Sequence, residues 1–287
     1  MAIKLSEKMS TGARQATDTA PKSIIRRVPF LDQVVLEHGP IALLGRFVLK
    51  AERAARLRGV TLSIEPIDAL GRFTREHLPT WPPLPMFDTV DAEFADDRAF
   101  CIMGRDENET IVATQAVRAY TWPASCLRDE AENLALFYGS GNRPDTARCH
   151  ISAAAAVAIK GGMAYSGGGW YAPAFRGHEL SAILPRLSRT LALARWGTEF
   201  TVSFVDWQLV RKGVVARYGY KNIEDGVRIE GMVGEAFDAA LVWMDRAELV
   251  ADLETFIESF DGGSGGGSQD RRADNVVAKI RINERDH

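Results

Sequence analysis

Several things are scarce in this sequence. Only three cysteines occur, Cys101, Cys126 and Cys149. Their number is odd and their spacing wide, which argues against a disulfide framework. Cys149-His150 lacks the paired spacing of a zinc site, so no metal is expected. No apolar run approaches the length of a membrane span, and the first residues lack the apolar core of a secretory signal. Neither sign of charge dominates: 35 Lys and Arg stand against 38 Asp and Glu, a net charge of −3. Such a balance advertises neither nucleic acid nor membrane. The 6 tryptophans do not alter that without a basic groove between them. Internal repeats are absent too. These absences lead us to expect a cytoplasmic protein with reduced thiols and no nucleic-acid or membrane partner.

What is present fits a soluble globular protein. The chain has 287 residues, 46% hydrophobic and 25% charged, enough for a large core. Its ends differ from its middle. Residues 1–28 carry Lys4, Lys8, Arg14, Lys22, Arg26 and Arg27 against Glu7 and Asp18. Residues 1–22 are polar and read as a disordered basic arm. At the other end "DGGSGGGSQ" reads as a flexible linker before a charged tail, so 261–287 is set apart. Arm and tail are the candidate surfaces for a protein partner. Residues 23–260 read as one domain.

Periodicity divides that domain. Pro29 to Arg58 is helical in pattern, interrupted at Gly39-Pro40 and stopped at Gly59. "VTLSIEPI" alternates like a strand, and "LGRFTREHL" reads as a short helix. "PTWPPLPMF" is too rich in proline for anything but a loop. "RAFCIMG" and "TIVATQAVRAYTW", joined by a polar turn, predict an antiparallel hairpin. "SCLRDEAENLALFY" predicts one helix. "HISAAAAVAIKGG" fits helix or strand. "GMAYSGGGWY" reads as a strand, followed by a turn and a helix to Trp196. On that helix Leu180, Ile183, Leu184, Leu187, Leu191 and Ala194 share a face, and Arg186, Arg189 and Arg195 are expected away from it. Strand "EFTVSFVD", helix "WQLVRKGVVARYG", two further strands and a last helix complete the chain. The fold class expected is α/β (α+β): a mixed central sheet flanked by helices, with an extra helical region before it.

"GGGWYAPAFRGHELS", Gly167 to Ser181, is the most informative stretch. A strand that runs through a glycine-containing turn into a helix is a common way to hold a phosphate. Downstream, "LVRKGVVARYGYKN" is a helix ending in Gly219-Tyr220. With the strand "EFTVSFVD" between them and the hairpin before them, the two segments resemble the GNAT superfamily of N-acetyltransferases. The resemblance covers about Ala99 to Asp245, roughly half the chain. It implies a sheet that splays between two adjacent parallel strands, with acyl-CoA entering the gap. It also implies an Arg/Gln-x-x-Gly-x-Gly/Ala turn after the fourth strand, and a helix ending in Gly-Phe with a Tyr four residues before that Gly. The activity implied is transfer of an acetyl or other acyl group from CoA to an amine, on a small molecule or a peptide.

Carried over residue by residue, the resemblance places acyl-CoA against Trp170 and Tyr171 of the splayed strand. The pyrophosphate would lie against Arg176, Gly177, His178, Glu179 and Ser181 of the turn. Gln208 stands where the family often has Asn. Tyr218 would protonate the leaving thiolate, and Tyr165, or a water, would carry the amine's proton away. Physically, glycines admit close approach, and a helix N terminus offers unpaired N–H groups and partial positive charge.

The sequence departs from the pattern at several places. Glu179 stands in the first Gly place and Ser181 in the last. A carboxylate about 5 Å from a pyrophosphate charge, at an effective dielectric near 20, costs roughly 3 kcal/mol, on the order of a hundredfold in affinity. Pro185 lies close to the start of the helix, where it implies a late start or a kink. Val215 holds the usual Tyr place. No acidic residue lies in "GMAYSGGGWY" to act as base. His150 and Asp206 are more distant candidates, and Asp206 reads foremost as a helix cap. Ser166 in "AYSGG" lacks the first Gly of a nucleophile elbow and any matching His-Asp pattern. Two readings follow: an acyltransferase, and an altered relative that keeps the fold as a binding or scaffold protein without turning over acyl-CoA.

Overall fold

The computed structural model describes residues 28–78, 81–90, 92–94 and 96–262. The basic arm 1–22 and the tail from 263 onward lie outside the described residues. A 3-10 turn at Phe30–Gln33 precedes α1 (Ile41–Leu57). In α1, Leu44, Phe47, Val48, Ala51 and Ala55 repeat at helical spacing and are buried. Then come β1 (Thr61–Glu65), α2 (Asp68–His77), β2 (Ala99–Arg105) and β3 (Ile111–Trp122). The β2–β3 turn is held by the Asp106 carboxylate, which accepts the N–H groups of Asn108 and Thr110, both at 2.9 Å. Next follow α3 (Leu127–Glu132), α4 (Ala135–Tyr138), β4 (Arg148–Ile151), α5 (Ala155–Ala158) and β5 (Gly161–Tyr171). The chain continues with α6 (Leu180–Trp196), β6 (Phe200–Asp206), α7 (Trp207–Arg211), α8 (Val214–Tyr218), β7 (Asn222–Glu230), β8 (Phe237–Asp245) and α9 (Arg246–Gly262).

The eight strands among the described residues form one sheet in the order β1–β2–β3–β5–β6–β8–β7–β4. Every pairing is antiparallel except β5 with β6. One core lies under α1, α6 and α9, around Leu44, Phe47, Leu187 and Leu253. The other lies on the opposite face, around Leu70, Phe87, Phe137 and Phe204. The mixed, helix-flanked sheet is the fold class expected from the sequence.

The parallel pair is short. Only Met163–Phe200, Ala164–Thr201 and Tyr165–Val202 are in register. Beyond them β5 stays with β3 as far as Tyr171, and β6 stays with β8 as far as Asp206. A gap opens between the two strands. A register shift on the β3 side, between Thr114 and Ala116, marks a bulge in β5. Gly168 makes it: its φ is 61°, and a Cβ there would lie 2.9 Å from Leu70 and 3.0 Å from Ala116. The bulge's carbonyls are satisfied from β3, Gly168 O by Thr114 Oγ1 at 2.8 Å and Gly167 O by Gln115 Nε2 at 3.0 Å. A parallel pair that opens into a gap is what the resemblance to the GNAT superfamily implies.

Four expectations need correction. The strand read as the fourth is the fifth, because Arg148–Ile151 pairs with β7 as an added edge strand. The ambiguous segment that begins at His150 is thus partly strand and partly the single turn of α5. The helix read over 125–138 is two short ones, broken where Leu134 adopts φ 67°. The helix read over 207–219 is likewise two, broken at Gly213 with φ 70°. On α6, Arg195 is exposed as expected, but Arg186 and Arg189 are buried, 6% and 0% exposed. The helix is covered by α1, α8 and α9, so its polar side also faces protein.

Candidate functional site

The gap leads to a cavity of about 380 Å³ between the end of β5, the start of α6 and α8. Its wall brings together Trp170, Tyr171, Arg176, Gly177, Ser181 and Tyr218, six of the ten residues singled out from the sequence. Trp170 stands edge-on to Phe73, with ring centroids 5.3 Å apart. The Tyr171 hydroxyl is buried and has no hydrogen-bond partner among the described residues. Ala172 N–H donates to Val112 O of β3 at 2.8 Å. By the alternation of an antiparallel strand, the N–H of Tyr171 therefore faces the gap. Tyr171 O accepts from Arg176 Nε at 3.1 Å, on that same side.

The turn into α6 is built on two left-handed residues, Gly177 (φ 84°) and Glu179 (φ 58°). Glu179 thus keeps the backbone conformation that favours glycine, at a cost for a side chain of order 1 kcal/mol or more. Its carbonyl accepts the N–H groups of Ala182 and Ile183 at 2.9 and 3.2 Å. The N–H groups of residues 177–181 bond no group among the described residues. They form the unpaired donor set of a helix start.

The Glu179 carboxylate does not point into the cavity. It pairs with Arg58 at the end of α1, whose Nε also bonds His178 O at 2.8 Å. Glu179 lines a separate cavity of about 620 Å³ between α1, α6 and α9. Ser181, two residues on, lines the first cavity. The charge conflict raised by the sequence is thus removed by direction and by a cationic partner. Pro185 lies inside α6, which begins at Leu180.

Val215, at the family's Tyr place, is 1% exposed and packs in the core, while Tyr218 takes the cavity side of α8. Burial and the neighbouring Tyr220 raise the Tyr218 pKa above that of a free phenol. The hydroxyl is therefore protonated, and able to donate, throughout the physiological pH range.

The other sequence candidates lie apart from this cavity. Tyr165 is 1% exposed, between Phe87 and Phe204, and its hydroxyl accepts Phe204 N–H at 2.9 Å. It bridges β5 and β6 where their parallel pairing ends, and burial raises its pKa. His178 is exposed beside Phe175. Gln208 is exposed on α7, its N–H held at 2.6 Å by Asp206, which caps that helix. His150 pairs with Glu132 at 2.9 Å on the far edge strand, β4.

Sequence reasoning missed Arg217, Phe175, Leu209 and Val214 of the cavity wall. Arg217 had a signal, a cation one residue before Tyr218. Trp81 of the proline-rich loop also lines the cavity. Among the described residues the lining includes two arginines, Arg176 and Arg217, and no carboxylate.

No family model and no curated protein matches the sequence. Solved structures that it resembles include a SpeG spermidine N-acetyltransferase chimera from Vibrio cholerae and hSSAT (11% identity, 67% of this chain and 98% of that one, TM-score 0.40). Others are an uncharacterized protein from Bacillus halodurans (12%, 70% and 91%, TM-score 0.41) and Mycobacterium smegmatis RimJ in complex with CoA-disulfide (12%, 69% and 88%, TM-score 0.36). Likeness at this level is loose and carries no weight for function.

Proposed function

We propose that the protein is an acyltransferase that moves an acetyl or other acyl group from CoA to an amine. The observation that carries the reading is the cleft itself. Among the described residues, a splayed parallel pair opens onto a helix start with unpaired N–H groups, two arginines and no carboxylate, because Glu179 is drawn aside by Arg58. Such a start suits the pyrophosphate of CoA. Arg176, Gly177 and Ser181 line the phosphate end with Arg217, and Trp170 and Tyr171 line the arm of the cofactor-derived substrate. Glu179 and His178 contribute backbone rather than side chain.

The chemistry is direct transfer. The nitrogen of a neutral amine attacks the thioester carbonyl carbon, and the Tyr171 N–H polarises the carbonyl oxygen. A C–N bond forms and the C–S bond breaks. The thiolate takes a proton from the Tyr218 hydroxyl, and water takes one from the amine nitrogen and returns the balance to Tyr218. Positioning supplies much of the rate in such a reaction. The acceptor is an amine on a small molecule or peptide, entering on the Trp81 side.

A second reading is favoured by one observation: among the described residues neither a carboxylate nor a histidine lines the cavity to serve as base. On that reading the protein binds acyl-CoA without turnover. Thermal unfolding with and without acetyl-CoA tests both. A ligand at a hundred times its dissociation constant adds roughly 2.7 kcal/mol. No shift with millimolar acetyl-CoA or a longer acyl-CoA overturns both readings. A shift without release of free thiol across a panel of amines selects the second.

A further inference from the structure

Beneath the cleft wall lies a buried charged cluster. Arg186 of α6 meets Asp252 of α9 through two hydrogen bonds, Nε to Oδ2 at 2.8 Å and Nη2 to Oδ1 at 3.0 Å. Arg189, one turn on, comes within 3.9 Å of the same carboxylate. Each guanidinium covers an aromatic face, Arg186 that of Phe256 at 4.1 Å and Arg189 that of Tyr220 at 4.3 Å. Two further donor groups reach α8: Arg186 Nη1 bonds Arg217 O at 2.7 Å, besides Ala182 O of its own helix at 2.8 Å, and Arg189 Nη2 bonds Tyr218 O at 2.5 Å, while Arg189 Nε and Nη1 have no hydrogen-bond partner among the described residues. Those two residues carry the only side chains of α8, besides Val214, that line the cavity.

Helix α8 has little to hold it in place by itself. It is five residues long, between Gly213 and Gly219 in left-handed conformations, with no side-chain cap. A helix this short is unstable alone. Its last carbonyls are those a helix leaves unpaired, and they attract cations. The fit beneath them is close: a Cβ on Gly219 would lie 2.4 Å from Arg186 Nη2 and 2.7 Å from Asp252 Oδ2. Stability alone is a poor reason for such a cluster, since well-packed apolar residues often serve as well as a buried ion pair. What apolar residues cannot do is bond two specific carbonyls.

We infer that Asp252, Arg186 and Arg189 are positioning residues that set Tyr218 and Arg217 in the wall of the acyl-CoA cleft. The inference rests on the cleft reading above for its purpose. Asp252 orients the two arginines, and the arginines fix the last turn of α8. The start of α6 and the end of α8, the two walls of the cleft, thereby move as one unit.

Two readouts test this in the full chain: CoA affinity by calorimetry, and the ultraviolet titration of Tyr218, identified by difference from Tyr218→Phe. In Asp252→Asn, CoA affinity falls about tenfold, and Tyr218 titrates closer to the free-phenol range as α8 loosens. Leu253→Ala, a core change on the same helix, lowers the melting temperature and leaves both readouts unchanged. Asp252→Glu recovers most of the affinity. If Asp252→Asn does not fold, Arg189→Lys replaces it, since it keeps the charge and loses the planar fork that reaches Tyr218 O. A cluster variant that lowers the melting temperature as Leu253→Ala does, with affinity and titration both unaltered, overturns the inference. If the wild-type chain binds no CoA, the cleft reading fails, and the Tyr218 titration still decides whether the cluster positions α8.

Discussion

The two sides of the α6 start differ in a way that composition would not suggest. On one side Glu179 pairs directly with Arg58 in the wall of the cavity between α1, α6 and α9. On the other, Ser181, Arg176 and Arg217 stand among aromatic residues with no acid. Two positions in the chain separate an excluded carboxylate from a tolerated hydroxyl. A charge at a helix start is therefore judged by the side to which its Cβ points and by the partner it meets there. In this turn the left-handed conformation of Glu179 turns the side chain toward α1.

Moving the charge across the turn is the strongest way to break that comparison. Ser181→Glu puts a carboxylate on the cavity side and is expected to weaken CoA binding on the order of a hundredfold. The same change should not lower stability, because an acid suits the first turn of a helix; calorimetry and a melting curve give the two numbers. Closing the splay at its source comes next. Gly168→Val forces a branched side chain into a left-handed position against Leu70, and is expected to cost about 2 kcal/mol or more in urea unfolding. An unchanged unfolding midpoint would mean that the bulge is not what holds β5 open. Arg217→Ala removes one of the two cavity cations, and CoA affinity should drop roughly tenfold, with a shallower dependence on salt. The smallest effect sharpens the comparison most. Glu179→Gly should change CoA affinity by less than about threefold, because the carboxylate already faces Arg58; a tenfold gain would show that it reaches the cleft after all.

Alkaline titration bears on the aromatic wall. Burial raises the pKa values of Tyr171 and Tyr218. Their neutral forms stabilise the fold fully below about pH 10, the unfolded value. That stability is lost as pH rises through the higher folded values. Unfolding free energy should therefore begin to decline above pH 10, and the decline should be smaller in Tyr218→Phe.

Much of the fold was legible because its signals are local. Alternation and turn residues exposed the β2–β3 hairpin. Breaks in α3–α4 and α7–α8 were not, since a single left-handed residue such as Leu134 or Gly213 leaves helical periodicity intact on either side. The burial of Arg186 and Arg189 was hidden for another reason: arginine at helical spacing reads as a solvated face unless the aspartate 66 positions away is known to meet it. The edge strand β4 was ambiguous because only β7, about eighty residues on, gives it a partner.

The sequence by itself determined the order of strands and helices apart from β4 and the breaks at Leu134 and Gly213, the place of the turn at residues 176–181, and the departures at Glu179, Ser181 and Val215. Those follow from side-chain periodicity and residue type, which act over a few positions. Only the tertiary structure decided what the departures mean. It turned Glu179 toward Arg58, 121 residues away, and buried Val215 while bringing Tyr218 to the cavity. Direction and partner depend on how distant elements pack, and pairing energy between such elements is written in no single stretch of the chain.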